Sequence, residues 1–81
     1  MSGRPVKHSV TLKGHRTSVS LEDEFWQAFR TIATEESIPI NALVAQIDVD
    51  RGVDTGLASA IRLFVLRNLQ AKLNDQATDA S

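Results

Sequence analysis

Cysteine is absent from this 81-residue chain, which excludes disulfides and thiolate metal sites as supports for the fold. A single domain of this size buries only about 60% of its unfolded surface and is marginal, so oligomerisation is the expected supplement to its core. No apolar run approaches the ~18 residues of a membrane span, and MSGRPVKHSV lacks the apolar centre of a secretory signal. A cytoplasmic protein with no membrane partner is expected. Acidic residues are also absent from one part of the chain. Residues 1–17 hold Arg4, Lys7, Lys13 and Arg16, with His8 and His15, and no Asp or Glu. The remaining basic residues and every acidic one lie in 18–81, so the net charge of −1 hides a basic arm on an acidic body.

Residues 1–7, MSGRPVK, contain Gly, Pro and two cations without a periodic apolar pattern and predict a flexible basic arm. Two β-type runs follow, in HSVTLKGHRTSVSL. Val10 and Leu12 alternate in the first and Val19 and Leu21 in the second, and the apolar parity flips from even to odd across Lys13-Gly14-His15. That flip needs a turn or a bulge at Gly14, and both a hairpin and a single bulged strand satisfy it. In the second run, Thr17, Val19 and Leu21 lie on one face and Arg16, Ser18 and Ser20 on the other.

A first helix is predicted to begin near Ser20–Glu22, with Ser20 and Asp23 as a weak capping box and Glu22, Asp23 and Glu24 at the positive end of its dipole. Leu21, Phe25, Ala28, Phe29 and Ile32 form its apolar stripe, and Trp26 sits at the edge of that stripe. Pro39 opens a second helix, with Ile40, Leu43, Val44 and Ile47 on one face and an end near Arg51-Gly52. Asp54 or Thr55 can cap a third helix, over about residues 56–73. Its apolar residues exceed one stripe, which predicts burial on more than one side. The polar end NDQATDAS predicts a disordered tail. The chain therefore divides into an arm (1–7), one domain (8–73) and a tail (74–81).

A lone polar-faced strand followed by two amphipathic helices leaves two unpaired strand edges and no second layer, so a dimer pairing its strand with a mate's is the economical solution. Such a ribbon fits the major groove of B-DNA. Here RTSVSLEDEFWQAF resembles the strand and first helix of ribbon-helix-helix DNA-binding proteins, the Arc/MetJ-type superfamily. ESIPINALVAQID is similar to that family's second-helix start. The run GHRTSVSLEDEFWQAF…LVAQID…SAIRLFVL most resembles a short bacterial subgroup of these domains, over about residues 14–70. The resemblance implies a mainly α fold with a short β-ribbon, a ribbon-helix-helix homodimer with an added C-terminal third helix.

It also implies roles. Arg16, Ser18 and Ser20 match the family's base-facing residues. Arg16 suits guanine O6 and N7, and serines bond several bases. Ile40, Asn41 and Ala42 match the helix start whose backbone amides hold a phosphate. Lys7, Lys13, Arg4 and His15 are expected to add salt-sensitive phosphate contacts. Val19, Leu21, Phe25, Phe29, Leu43 and Ile47 are the expected dimer core. Arg62 and Arg67 could pair with Asp48, Asp50 or Asp54 across a dimer.

No chemistry is indicated. His8 and His15 stand in the basic region without an HExxH spacing, so no metal is expected. Neither a catalytic constellation around Ser9, Ser18 and Ser20 nor a phosphate loop is present, so no enzyme and no cofactor are expected. The favoured reading is a homodimeric, sequence-specific DNA-binding repressor on double-stranded DNA, with a higher oligomer through the third helix left open. The alternative is a dimeric or tetrameric interaction module without specific DNA binding, including antitoxin-like partner binding.

Overall fold

In the computed structural model, which describes residues 3–79, the element order is β1 (Val6–Leu12), β2 (His15–Leu21), α1 (Asp23–Glu35), α2 (Ile40–Asp50) and α3 (Leu57–Asp79). The parity flip is resolved as a hairpin. β1 and β2 pair antiparallel, with Leu12 opposite His15, Val10 opposite Thr17 and His8 opposite Val19. Only Lys13 and Gly14 connect them, at φ of 54° and 78°. Two positive φ values in succession are the signature of a type I′ turn, whose twist matches that of the strands. The second strand is therefore supplied by the chain itself, and β1 already includes Val6 and Lys7 of the predicted arm.

The apolar face of the hairpin packs on the helices. Val10, Val19 and Leu21 join Phe29, Ile32, Leu43, Val44, Ile47, Ile61 and Val65 in one core. Ring contacts extend it. Phe64 meets Phe29 edge-on at 6.1 Å, and Trp26 stacks on His8 at 4.1 Å. Trp26 is half-buried at the core margin, as its position beside the stripe predicted.

Helix ends follow local chemistry. α1 terminates with Ser37 in the left-handed region (φ 56°). The N–H of Ile38 donates to Ala33 O and that of Ser37 to Thr34 O, the two bonds of a Schellman motif. At the start of α1 the predicted capping box is not formed. Ser20 is still a strand residue and Glu22 holds the N-cap position without a side-chain cap bond. The strand register fixes Ser20 opposite Lys7, which carries its side chain to the other face.

α3 packs against α1, α2 and β2, and so provides the second layer that two helices alone would lack. Ala60, Ile61 and Val65 face the core. Leu63, Leu66, Leu69 and Leu73 remain exposed on another side. The excess of apolar residues is thus explained by two apolar faces, of which one is covered by this chain. α3 continues past Leu73 to Asp79, through most of the stretch read as a tail. Ala71, Lys72, Gln76 and Ala77 are good helix formers and carry it on.

Candidate nucleic-acid interface

The register assigns each strand residue to a face. Arg16, Ser18 and Ser20 lie opposite Thr11, Ser9 and Lys7 respectively, and all six are exposed. The sequence reading left Ser9 and Thr11 without a role. The signal for them was available, since a two-residue turn at Lys13-Gly14 places Leu12 opposite His15 and so fixes every other pair.

Backbone geometry sorts the same way. In an antiparallel pair, bonded and non-bonded residue pairs alternate. The N–H of Thr11 donates outward, to Asn41 Oδ1 at 3.0 Å, so Thr11 and Arg16 form a non-bonded pair. By alternation the other polar pairs are non-bonded too, and their backbone groups point to the two outer edges of the ribbon.

A side-chain plug meets each edge. At the β1 edge it is Asn41, at the start of α2. Its Oδ1 is thereby committed to the strand, while the exposed start of the helix keeps Asn41 and Ala42 at the surface and Ile40 half-buried. At the β2 edge the plug is Arg62 of α3, whose Nη2 donates a longer bond of 3.4 Å to Ser20 O. Glu22 holds that guanidinium through Nε to Oε1 at 2.8 Å and Nη2 to Oε2 at 3.2 Å, and Phe25 lies 5.9 Å beneath it. Arg62 therefore pairs with Glu22 and not with Asp48, Asp50 or Asp54, because packing of α3 alongside α1 brings the two together. The Arg62 bonds hold the Glu22 carboxyl below the usual carboxylate range.

Lys13 at the turn reaches Asp48 Oδ2 at 3.6 Å, and Arg51 Nε donates to Asp48 Oδ1 at 2.7 Å. The Arg51 bond first, and then the nearby positive charges of Arg51 and Lys13, lower the Asp48 pKa. Lys13 is nonetheless well exposed, and an ion pair in water is a weak tether. Lys7, His15 and Arg16 are exposed on the hairpin. The basic end of the molecule is thus a ribbon with a polar face, flanked by the start of α2.

The residues expected at a dimer core belong to the packed interior of the single chain. Val19, Leu21, Phe29, Leu43 and Ile47 are buried within one chain and Phe25 is half-buried, all under cover of α3 or the hairpin.

A family model for the ribbon-helix-helix domain matches residues 5–69. The chain belongs to this family. Membership brings a DNA-binding or regulatory role in general terms, on a non-enzymatic fold that is typically a DNA-binding dimer. Comparison with curated proteins and with solved structures gave no match. The match begins at Pro5 and so takes in β1 as well as the ribbon-helix-helix elements that follow it. Among the described residues no helix is long and apolar enough to cross a membrane, and no three His, Cys, Asp or Glu side chains gather as a metal site.

Proposed function

We propose that this ribbon-helix-helix protein is a sequence-specific DNA-binding repressor that lays the polar face of its ribbon in the major groove and acts as a homodimer. The observation that carries the reading is the ribbon itself, a solvent-exposed face of Arg16, Ser18 and Ser20 held above a face whose Val10, Val19 and Leu21 are buried in the core. Arg16 reads guanine through O6 and N7, the serines bond base edges, and the start of α2 at Ile40, Asn41 and Ala42 holds a phosphate. Lys7, Lys13 and His15 supply further backbone contacts. A cytoplasmic location suits that role.

Selection of duplexes from a random pool at about physiological salt tests this. A specific complex exceeds non-specific binding by at least ~10³ there, so a short inverted repeat should be enriched. Arg16→Ala should abolish the enrichment. Lys13→Ala should weaken binding to all duplexes alike and lower the salt slope by about one. Failure of the wild type to enrich any sequence overturns the proposal. It would favour a dimeric interaction module instead, the reading supported by the exposed leucines of α3.

A further inference from the structure

Away from the ribbon, where α2 ends against α3, the molecule holds a cavity of about 520 Å³. Small-ligand sites span about 300–1,000 Å³, so this one has the volume for a small molecule. Ile47, Ala60 and Phe64 give it an apolar wall, with Ile47 and Ala60 buried and Phe64 half-buried. Asp50, Arg67 and Asn68 line the same space. From this pairing of opposite charges with an apolar wall we infer that the cavity binds a small zwitterion, an α-amino acid with an apolar side chain.

Its polar groups are free to take a ligand. Asn68 Oδ1 is buried and accepts no hydrogen bond, and a buried acceptor without a donor carries a desolvation penalty that a bound N–H group relieves. Among the described residues Asp50 and Arg67 have no hydrogen-bond or ion-pair partner. Arg51 does not compete for the ligand, since Asp48 and Thr55 O hold its guanidinium. One carboxylate, one guanidinium and one amide oxygen therefore stand uncommitted.

Charge assigns the two ends of the ligand. Asp50 is the last residue of α2, where the helix dipole and the terminal carbonyls favour a cation. An ammonium there donates to Asp50 and to Asn68 Oδ1. Arg67 presents a planar fork that matches a carboxylate. The apolar side chain then lies on Ile47 and Phe64.

The exposed leucines of α3 do not account for the cavity, because Leu63 alone among them lines it. At about 100° per residue, Leu66, Leu69 and Leu73 fall on another side of the helix, so a second copy seated on them does not occupy it. No residue of the cavity belongs to the polar face of the ribbon or to the start of α2. The inference therefore stands or falls independently of DNA binding.

The test is calorimetric titration of the full chain with L-phenylalanine and L-leucine, repeated with hydrocinnamate, which lacks the ammonium, and phenethylamine, which lacks the carboxylate. At least one amino acid should bind saturably, about tenfold or more tighter than either analogue, because each analogue leaves one charged group unmatched. Asn68→Leu should weaken that binding by about tenfold or more yet melt no lower than wild type, since it replaces the unpaired amide by an apolar group of similar size. Arg67→Ala, at an exposed position, should bring the affinity for the amino acid down to that for phenethylamine. Absence of binding by both amino acids up to about 10 mM overturns the inference, as does equal binding of the analogues. Unchanged affinity in Asn68→Leu, with a fall in sedimentation mass, overturns it too and makes a second copy the partner of the amide.

Discussion

At the scale of single residues, Lys13 and Ser37 adopt left-handed backbone conformations that side chains resist. Ser37 holds φ 56° at the end of α1, where the Schellman bonds demand the left-handed region. Ser37→Gly removes the Cβ conflict there and should raise stability by about 0.5–1 kcal/mol, read as a later urea midpoint with the slope unchanged. An unchanged midpoint would mean that the serine side chain compensates. Glu22 and Asp48 make a second residue-scale case. Both carboxyls titrate below their ordinary range, through Arg62 in one case and Arg51 in the other. Unfolded carboxylates take up protons at about pH 4, before the folded ones do. The stabilisation is therefore complete at neutral pH and is lost as pH falls through about 4 and below. A Glu22→Gln, Asp48→Asn variant should lose less stability than wild type between about pH 6 and pH 3, and parallel loss in the two proteins would show that neither pair contributes.

At the scale of elements, Gly14 (φ 78°) decides whether the ribbon forms. Gly14→Ala should destabilise the hairpin by about 1–2 kcal/mol, the cost of a left-handed residue bearing a Cβ, and loss of base reading should accompany it. Full retention of the circular-dichroism melt would argue that the turn tolerates another type. This turn also marks how far local pattern reaches. The parity flip at Gly14 left a hairpin and a bulged strand open, because both reverse the apolar side. What settles it is the pairing of β1 with β2, in which the first β-type run extends back into the cationic segment to Val6 and Lys7. The apolar faces of α1 and α2 were legible from 3.6-residue spacing. So was the surplus on α3, though not which side stays uncovered. Ser20 and Asp23 have capping-box spacing, but strand pairing with Lys7 overrode it. The Asn41–Thr11 and Arg62–Glu22 bonds join residues 30 and 40 positions apart. No local period encodes such pairs.

At the scale of the whole molecule, a dimer was the economical solution for a lone strand and two helices, and the structure pairs β1 with β2 and packs α3 against α1 and α2. β1 and β2 form a two-stranded hairpin within one chain, which a monomer would keep. What still favours a second copy is α3, where Leu63, Leu66, Leu69 and Leu73 are 41%, 47%, 45% and 64% exposed. Together that is about two whole leucine side chains per chain, worth roughly 6–12 kcal/mol across a symmetric pair. Association costs roughly 4–15 kcal/mol, so these leucines support a dimer that depends on concentration. Sedimentation should therefore find a mass between one and two chains that rises with protein concentration through the micromolar range. Leu66→Lys with Leu73→Lys should hold the protein at one chain without loss of folded structure, since neither residue belongs to the core. The consequence for DNA distinguishes the two ways of building a ribbon. If each chain carries its own, the monomeric variant keeps its preference for a single half-site, with lower affinity for the inverted repeat because only one contact set remains. If the ribbon instead needs a strand from each chain, loss of the dimer removes base preference altogether and leaves only salt-sensitive binding to any duplex.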